Sequence, residues 1–219
     1  MYKVLADRMT RLSQAEAREQ TRTSLLAAAR RVFGERGFGG ASLDEIAERA
    51  GYTRGALYYN FPGGKEDLFI ALLEDRIDNR VEISQTAFAG ADGDPADTIA
   101  RARAAAADAG AAVRENREWQ LLFFEFALHA ARDRRFAPRL AESEARLREA
   151  LAHLIDARAA VLGGEPPIPA ENLARALNAL ANGIMLDRLI EPEGVPGDLL
   201  EQVVELLVAG AIARGEVAL

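Results

Sequence analysis

The sequence predicts an all-α protein, with a three-helix unit at the N-terminus and a larger helical bundle after it. Three observations point there. Apolar residues recur at three- and four-residue spacing along most of the chain, the period of a helix with one buried face. No segment alternates polar and apolar residues as a half-buried strand would. Glycine and proline cluster at a few breaks, and the stretches between them have helix length.

Residues 1–12 read as a loose arm carrying Lys3, Arg8 and Arg11. Ser13 followed by Glu16 has the form of a capping box and opens a helix to about Gly37. Leu25, Ala29, Val32 and Phe33 make its apolar stripe, expected to pack on Ile46, Leu57 and Phe61. Gly37, Gly39 and Gly40 form the turn that follows.

A second capping box, Ser42 with Glu45, starts a short helix in which Leu43, Ile46, Ala47 and Ala50 share a face, and Gly51 stops it. Thr53 is a good N-cap for the next helix, Arg54 to about Phe61, which ends before Pro62-Gly63-Gly64. Two short helices joined by a Gly-containing turn are the helix-turn-helix pattern. The second is odd as a structural element. Gly55 near its start costs about 1 kcal/mol relative to Ala, but lets the backbone approach a partner closely. Tyr58, Tyr59 and Asn60 carry donors suited to phosphate oxygens, and Arg54 is placed to reach base edges.

Lys65 begins a helix to about Phe88, with Leu68, Leu72 and Ile77 on one side. Lys3 and Lys65 are the chain's two lysines. A cation is the disfavoured charge at a helix N-terminus, and a bound phosphate there would reverse that. After the Gly90–Pro95 break comes an alanine-rich helix, about Ala96 to Arg114, thin enough to leave room beside it. The segment Arg117 to Asp133 is apolar around nearly its whole circumference and is expected in the middle of the bundle. Phe136 to Leu162 reads as a long amphipathic helix, ended by Gly163-Gly164 and the Pro-rich turn EPPIPAE. Pro169 to Ile190 is another helix, with Leu173, Leu177, Leu180 and Ile184 on one side. Small residues Ala176, Ala179, Ala181 and Gly183 smooth its surface. Glu191 to Gly197 is a loop, and Leu199 to Ile212 the last helix.

Composition narrows the function. The 219 residues include no Cys, which excludes disulfide scaffolds, zinc ribbons and thiol catalysis. No nucleophile–base constellation is visible with only two His, and Gly37–Gly40 does not match a phosphate-binding glycine loop, so neither an enzyme nor a cofactor is expected. His129 lies four residues from both Glu125 and Asp133, yet two same-helix side chains are too little to claim a metal. No apolar run is long enough to span a membrane, and the start lacks a signal-peptide core, so a cytoplasmic protein is expected. The net charge of -7 is unevenly spread. Residues 1–65 carry 11 Lys and Arg against 7 Asp and Glu, whereas 66–219 carry 16 against 27. A basic head on an acidic body is the electrostatic footprint of a local DNA-binding module.

The runs RVFGERGFGGASLDEIAERAG, TRGALYYNF and GGKEDLF carry a resemblance: Thr21 to Leu73 resembles the N-terminal domain of the TetR family of bacterial transcriptional repressors. It covers about the first third of the chain. Most relatives have His where this chain has Asn60, and the PGGK junction is like that of a branch one residue longer than the commoner form. Position by position, the resemblance implies phosphate contacts for Thr53, Tyr58, Tyr59 and Lys65. It implies another for Ser42, and a weaker one for Asn60. Arg54 and Gly55 fall where relatives read the major groove, and Tyr58 suits either kind of contact.

The resemblance further implies a DNA-binding domain over residues 1–64 and a regulatory domain over 65–219. It places a pocket for a small effector among the central helices of the body. Trp119, Phe123 and Phe126 are its candidate lining, which suggests an apolar or aromatic ligand. It implies a homodimer through the helices at about 136–162 and 169–190, bound to a pseudo-palindromic operator. The expectation is a repressor released by its effector. An activator or architectural protein with the same head and no small-molecule effector is the alternative.

Overall fold

The computed structural model describes residues 2–114 and 116–216, with side chains over 13–111 and 116–214. Among the described residues there are nine helices and no strand, so the chain is all-α. The helices are α1 (Tyr2–Gly40), α2 (Leu43–Ala50), α3 (Arg54–Asn60), α4 (Lys65–Ala87), α5 (Pro95–Arg114), α6 (Arg117–Arg132), α7 (Ala137–Val161), α8 (Ala170–Ile190) and α9 (Leu199–Glu216). From α2 to α8 the ends fall within a residue or two of the sequence reading, because caps and Gly or Pro breaks mark them locally.

Two expectations at the N-terminus are corrected. Residues 2–12 belong to α1 and are not a loose arm, so Ser13 lies inside the helix and does not start it. The reason is that no Gly or Pro occurs between Tyr2 and Phe33, so nothing stops the helix before Ser13. The side chains of Lys3, Arg8 and Arg11 lie outside the described residues. At the other end, α1 breaks at Gly37 (φ 69, ψ 175) and runs on for one short turn to Gly40. That backbone region is open essentially to glycine alone.

The chain packs as two compact units. The first comprises Met1–Leu73 and Leu122–Phe136. Its core is the expected one: Leu25, Ala29, Val32 and Phe33 of α1 meet Ile46, Leu57 and Phe61 and are almost free of solvent. Each of these side chains but Ala29 contributes about 1.5–3 kcal/mol on burial. An aromatic cluster extends this core. The Phe126 ring stacks on Phe69 with centroids 3.9 Å apart, and Phe38 meets both edge-on at 5.0 and 6.2 Å.

The second unit comprises Glu74–Leu121 and Ala137–Leu219, built on the pairs α5 with α9 and α7 with α8. Ala106, Ile184 and Leu200 form one small core, and Ala152, Ala170 and Ala174 another. Alanine at these positions lets the helices approach closely, whereas Ala176, Ala179 and Gly183, the small residues singled out on α8, are exposed. Buried Arg158 of α7 donates to the carbonyls of Ala91 and Asp92 (3.1 and 2.6 Å) and to the Thr98 hydroxyl (2.6 Å). It thereby ties down the loop between α4 and α5.

Helix α6 is corrected in one respect. Leu121 and Leu128 are 41% and 59% exposed, so the helix is not buried all round. Its buried side is Trp119, Gln120, Leu122, Phe123, Phe126 and Ala130. Singly exposed leucines are common on protein surfaces, and circumference alone overstated its burial.

Candidate nucleic-acid interface

The interface is built on two caps. Ser42 is extended (φ -106, ψ 135), and its hydroxyl accepts from Asp44 N at 3.2 Å to start α2. Glu45 does not close the box. Its carboxylate instead meets Arg49 at 2.5 Å and Arg36 at 3.8 Å. Gly51 ends α2 in the left-handed region (φ 77), and Thr53 then starts α3, its hydroxyl accepting from Ala56 N at 3.2 Å. These caps and the buried Leu57 set which face of α3 points outward.

That outward face carries Arg54, Gly55, Tyr58 and Tyr59, with Tyr59 the most open at 69% exposure. A Cβ added at Gly55 would meet only the Thr53 hydroxyl, at an ordinary 3.7 Å. Nothing inside the protein therefore requires glycine there. Arg54 Nη1 donates to both carboxylate oxygens of Asp44 (3.1 and 3.0 Å), and Nη2 lies 3.5 Å from the Tyr58 hydroxyl. The Tyr58 hydroxyl and then the Asp44 charge raise the Arg54 pKa, so the guanidinium stays charged. The Arg18 guanidinium of α1 lies 5.4 Å over the Tyr59 ring, adding a cation beside this face. Neither Asp44 nor Arg18 was singled out from the sequence.

Asn60 and Lys65 behave differently from the rest. The Asn60 amide turns back on its own helix, Nδ2 donating to Ala56 O at 2.8 Å, and its buried Oδ1 has no partner. Lys65 Nζ donates to the carbonyls of Phe38 and Gly39 (3.1 and 3.2 Å) and lies 5.2 Å over the Phe38 ring. An ammonium has three donors, and two are engaged in closing the C-terminal turn of α1. The structure thus gives Lys65 an internal role in closing that turn.

The candidate ligand-lining residues are placed separately. Trp119 belongs to the second unit, with the Arg76 guanidinium 4.8 Å over its ring. Phe123 and Phe126 belong to the first, Phe126 fully buried in the aromatic cluster. Of the residues around His129, Glu125 accepts from Phe38 N and Asp133 pairs with Arg135. That ion pair, with further hydrogen bonds from Arg135, holds the Asp133 carboxyl down at about 2. His129 Nε2 lies 3.3 Å from Glu66 Oε1 without hydrogen-bond alignment. Among the described residues no group of three or more possible ligands comes together for a metal, and no helix is long and apolar enough to cross a membrane.

Comparison with known proteins gives this geometry a context. Residues 25–72 match the family model described as bacterial regulatory proteins, tetR family, and residues 98–213, over half the chain, match that of the BetI-type transcriptional repressor, C-terminal. The transcriptional activator FasR of Mycolicibacterium smegmatis is 44% identical over 64 residues, 29% of this chain and 29% of FasR. The match thus spans less than a third of that relative's length. A transcriptional regulator from Rhodococcus sp. Rha1 shares the fold with TM-score 0.66 and 25% identity over 89% of this chain and 97% of its own. The protein of the SmeT–triclosan complex shares it with TM-score 0.65 and 22% identity over 87% and 90%. Head and body both match models of one family whose members are transcription regulators and not enzymes: the chain belongs to the TetR family of helix-turn-helix, DNA-binding transcriptional regulators.

Proposed function

We propose that this regulator is a ligand-responsive repressor that binds a pseudo-palindromic operator as a homodimer. The observation that carries the proposal is the outward face of α3, where Arg54, Tyr58 and Tyr59 stand exposed on a helix fixed by the Thr53 cap. Arg54 and Gly55 read the major groove, while Ser42, Thr53, Tyr58 and Tyr59 position the head on phosphates. Asn60 and Lys65 contribute with whatever donors their internal bonds leave. Residues 1–64 form the reading head and 65–219 the regulatory body, with α4 joining the two.

Dimerisation would use the helices at about 136–162 and 169–190, where Leu186 and Ile190 of α8 are 42% and 75% exposed. A small apolar or aromatic effector would enter the body near Trp119. That SmeT, a protein of this fold, forms a complex with triclosan supports a small-molecule effector. Action in the cytoplasm follows from the function. Release needs an effector that binds the DNA-incompetent state more tightly. Sedimentation with a duplex carrying an inverted repeat tests the proposal. Two chains per repeat, dissociated by an apolar compound, are expected, and one chain per duplex would contradict it. The activator alternative is kept by the FasR similarity, while the BetI-type model favours repression. Transcription from the operator with and without the chain separates them.

A further inference from the structure

Arg54 is the first residue of α3, an unfavourable place for a cation, and the group that holds it comes from the neighbouring helix. Asp44, in the first turn of α2, receives Nη1 on both carboxylate oxygens at 3.1 and 3.0 Å. Tyr58, one turn along α3, takes Nη2 at 3.5 Å. A guanidinium has five N–H donors. Among the described residues these contacts leave Nε–H and one Nη2–H, and neighbouring N–H groups of that kind make a bidentate contact with guanine O6 and N7. The pair is exposed, so it adds little to stability. Its consequence lies in orientation and charge. Unpaired, a long and fully charged side chain beside a DNA backbone has phosphate as its easiest partner, and a phosphate contact carries no sequence information.

We propose that Asp44 is a specificity-determining positioning residue, whose carboxylate holds the Arg54 guanidinium for a base edge and keeps it from the phosphates. The inference rests on the reading of α3 as the base-reading helix. It assigns to Asp44 an effect that no contact of its own with DNA would produce. The negative charge lowers general attraction to DNA at this spot, and the fixed guanidinium makes the remaining attraction selective.

The experiment is selection of bound duplexes from a random pool by the full chain, Asp44→Asn, Arg54→Ala and the double variant. Binding of each to the selected and to an unrelated duplex is then measured against salt. In Asp44→Asn the base pair that Arg54→Ala blurs should lose discrimination by about fivefold or more. Affinity for the unrelated duplex should rise roughly threefold, with a salt slope steeper by about 0.9, the signature of one more phosphate contact. In the Arg54→Ala background, Asp44→Asn should leave base preference unchanged. If Arg54→Ala blurs the site and Asp44→Asn does not, Asp44 has no positioning role and the reading of α3 stands. If Arg54→Ala leaves every preference intact, the reading of α3 fails and this inference with it. Equal loss of affinity for both duplexes in Asp44→Asn, with a lowered thermal midpoint, would reduce Asp44 to a stabiliser of α2.

Discussion

Glu125 of α6 accepts a hydrogen bond from the backbone N–H of Phe38 at 2.6 Å, and its carboxylate fills the space that a Cβ at Gly37 would need. One side chain of α6 thus holds the break in α1. A Cβ on Gly37 would come within 2.7 Å of Glu125 Oε2, in a backbone region that other residues avoid. Gly37→Ala should therefore cost about 2–3 kcal/mol. Gly51→Ala, left-handed but with nothing within 4 Å, should cost only about 1–2 kcal/mol. Urea unfolding of the two variants checks the order, and equal losses would mean that the Glu125 contact adds nothing.

Lys65 should serve stability as well as binding. Lys65→Ala removes the donor shared by the Phe38 and Gly39 carbonyls, and a loss of about 1.5–3 kcal/mol is expected. It should also weaken binding to all DNA sequences alike, with a shallower salt slope. Thermal unfolding and salt-dependent binding, measured on the same preparation, separate the two effects. A variant as stable as the parent would rule out the clamp.

Arg158 anchors the α4–α5 loop from within the second unit. Arg158→Ala leaves two carbonyls and the Thr98 hydroxyl without their donor and should cost about 2–3 kcal/mol. Thr98→Val removes one bond and should cost about 1 kcal/mol. Amide exchange over residues 88–94 should quicken in Arg158→Ala. Unchanged protection there would show that the loop is held by something else.

Phe126 is packed on Phe69 and Phe38 without exposure, so Phe126→Ala should cost about 3–5 kcal/mol. Calorimetry of the DNA-free protein checks this. A small loss, with an altered effector response, would instead place Phe126 chiefly in a ligand site.

Much of the fold was legible because its signals are local. Caps at Ser42 and Thr53 and the breaks at Gly51 and Pro62 each act over three or four residues, and they placed α2 and α3 correctly. The stripe Leu25, Ala29, Val32 and Phe33 named the core because a helix in water has one face to bury. Ser13 with Glu16 misled for the same reason: the pattern also fits a helix interior, and only a breaker upstream would have made it a start. The site was legible as a set of exposed donors, but not as a set of partners. Asp44 and Arg54 meet across the turn, Lys65 reaches carbonyls 26 and 27 residues back, and Glu125 reaches Phe38 across 87 residues. Helical periodicity says which residues face inward or outward, and is silent on what a side chain finds once the helices pack.

Selection of bound duplexes from a random pool at fixed salt, with the parent chain beside Arg54→Ala, tests most directly whether α3 reads DNA as half of a dimer. The expected result is an inverted repeat for the parent and the same repeat, blurred at one base pair in each half, for the variant. Enrichment of a single half-site, or of the same sharp repeat by both proteins, would contradict the account.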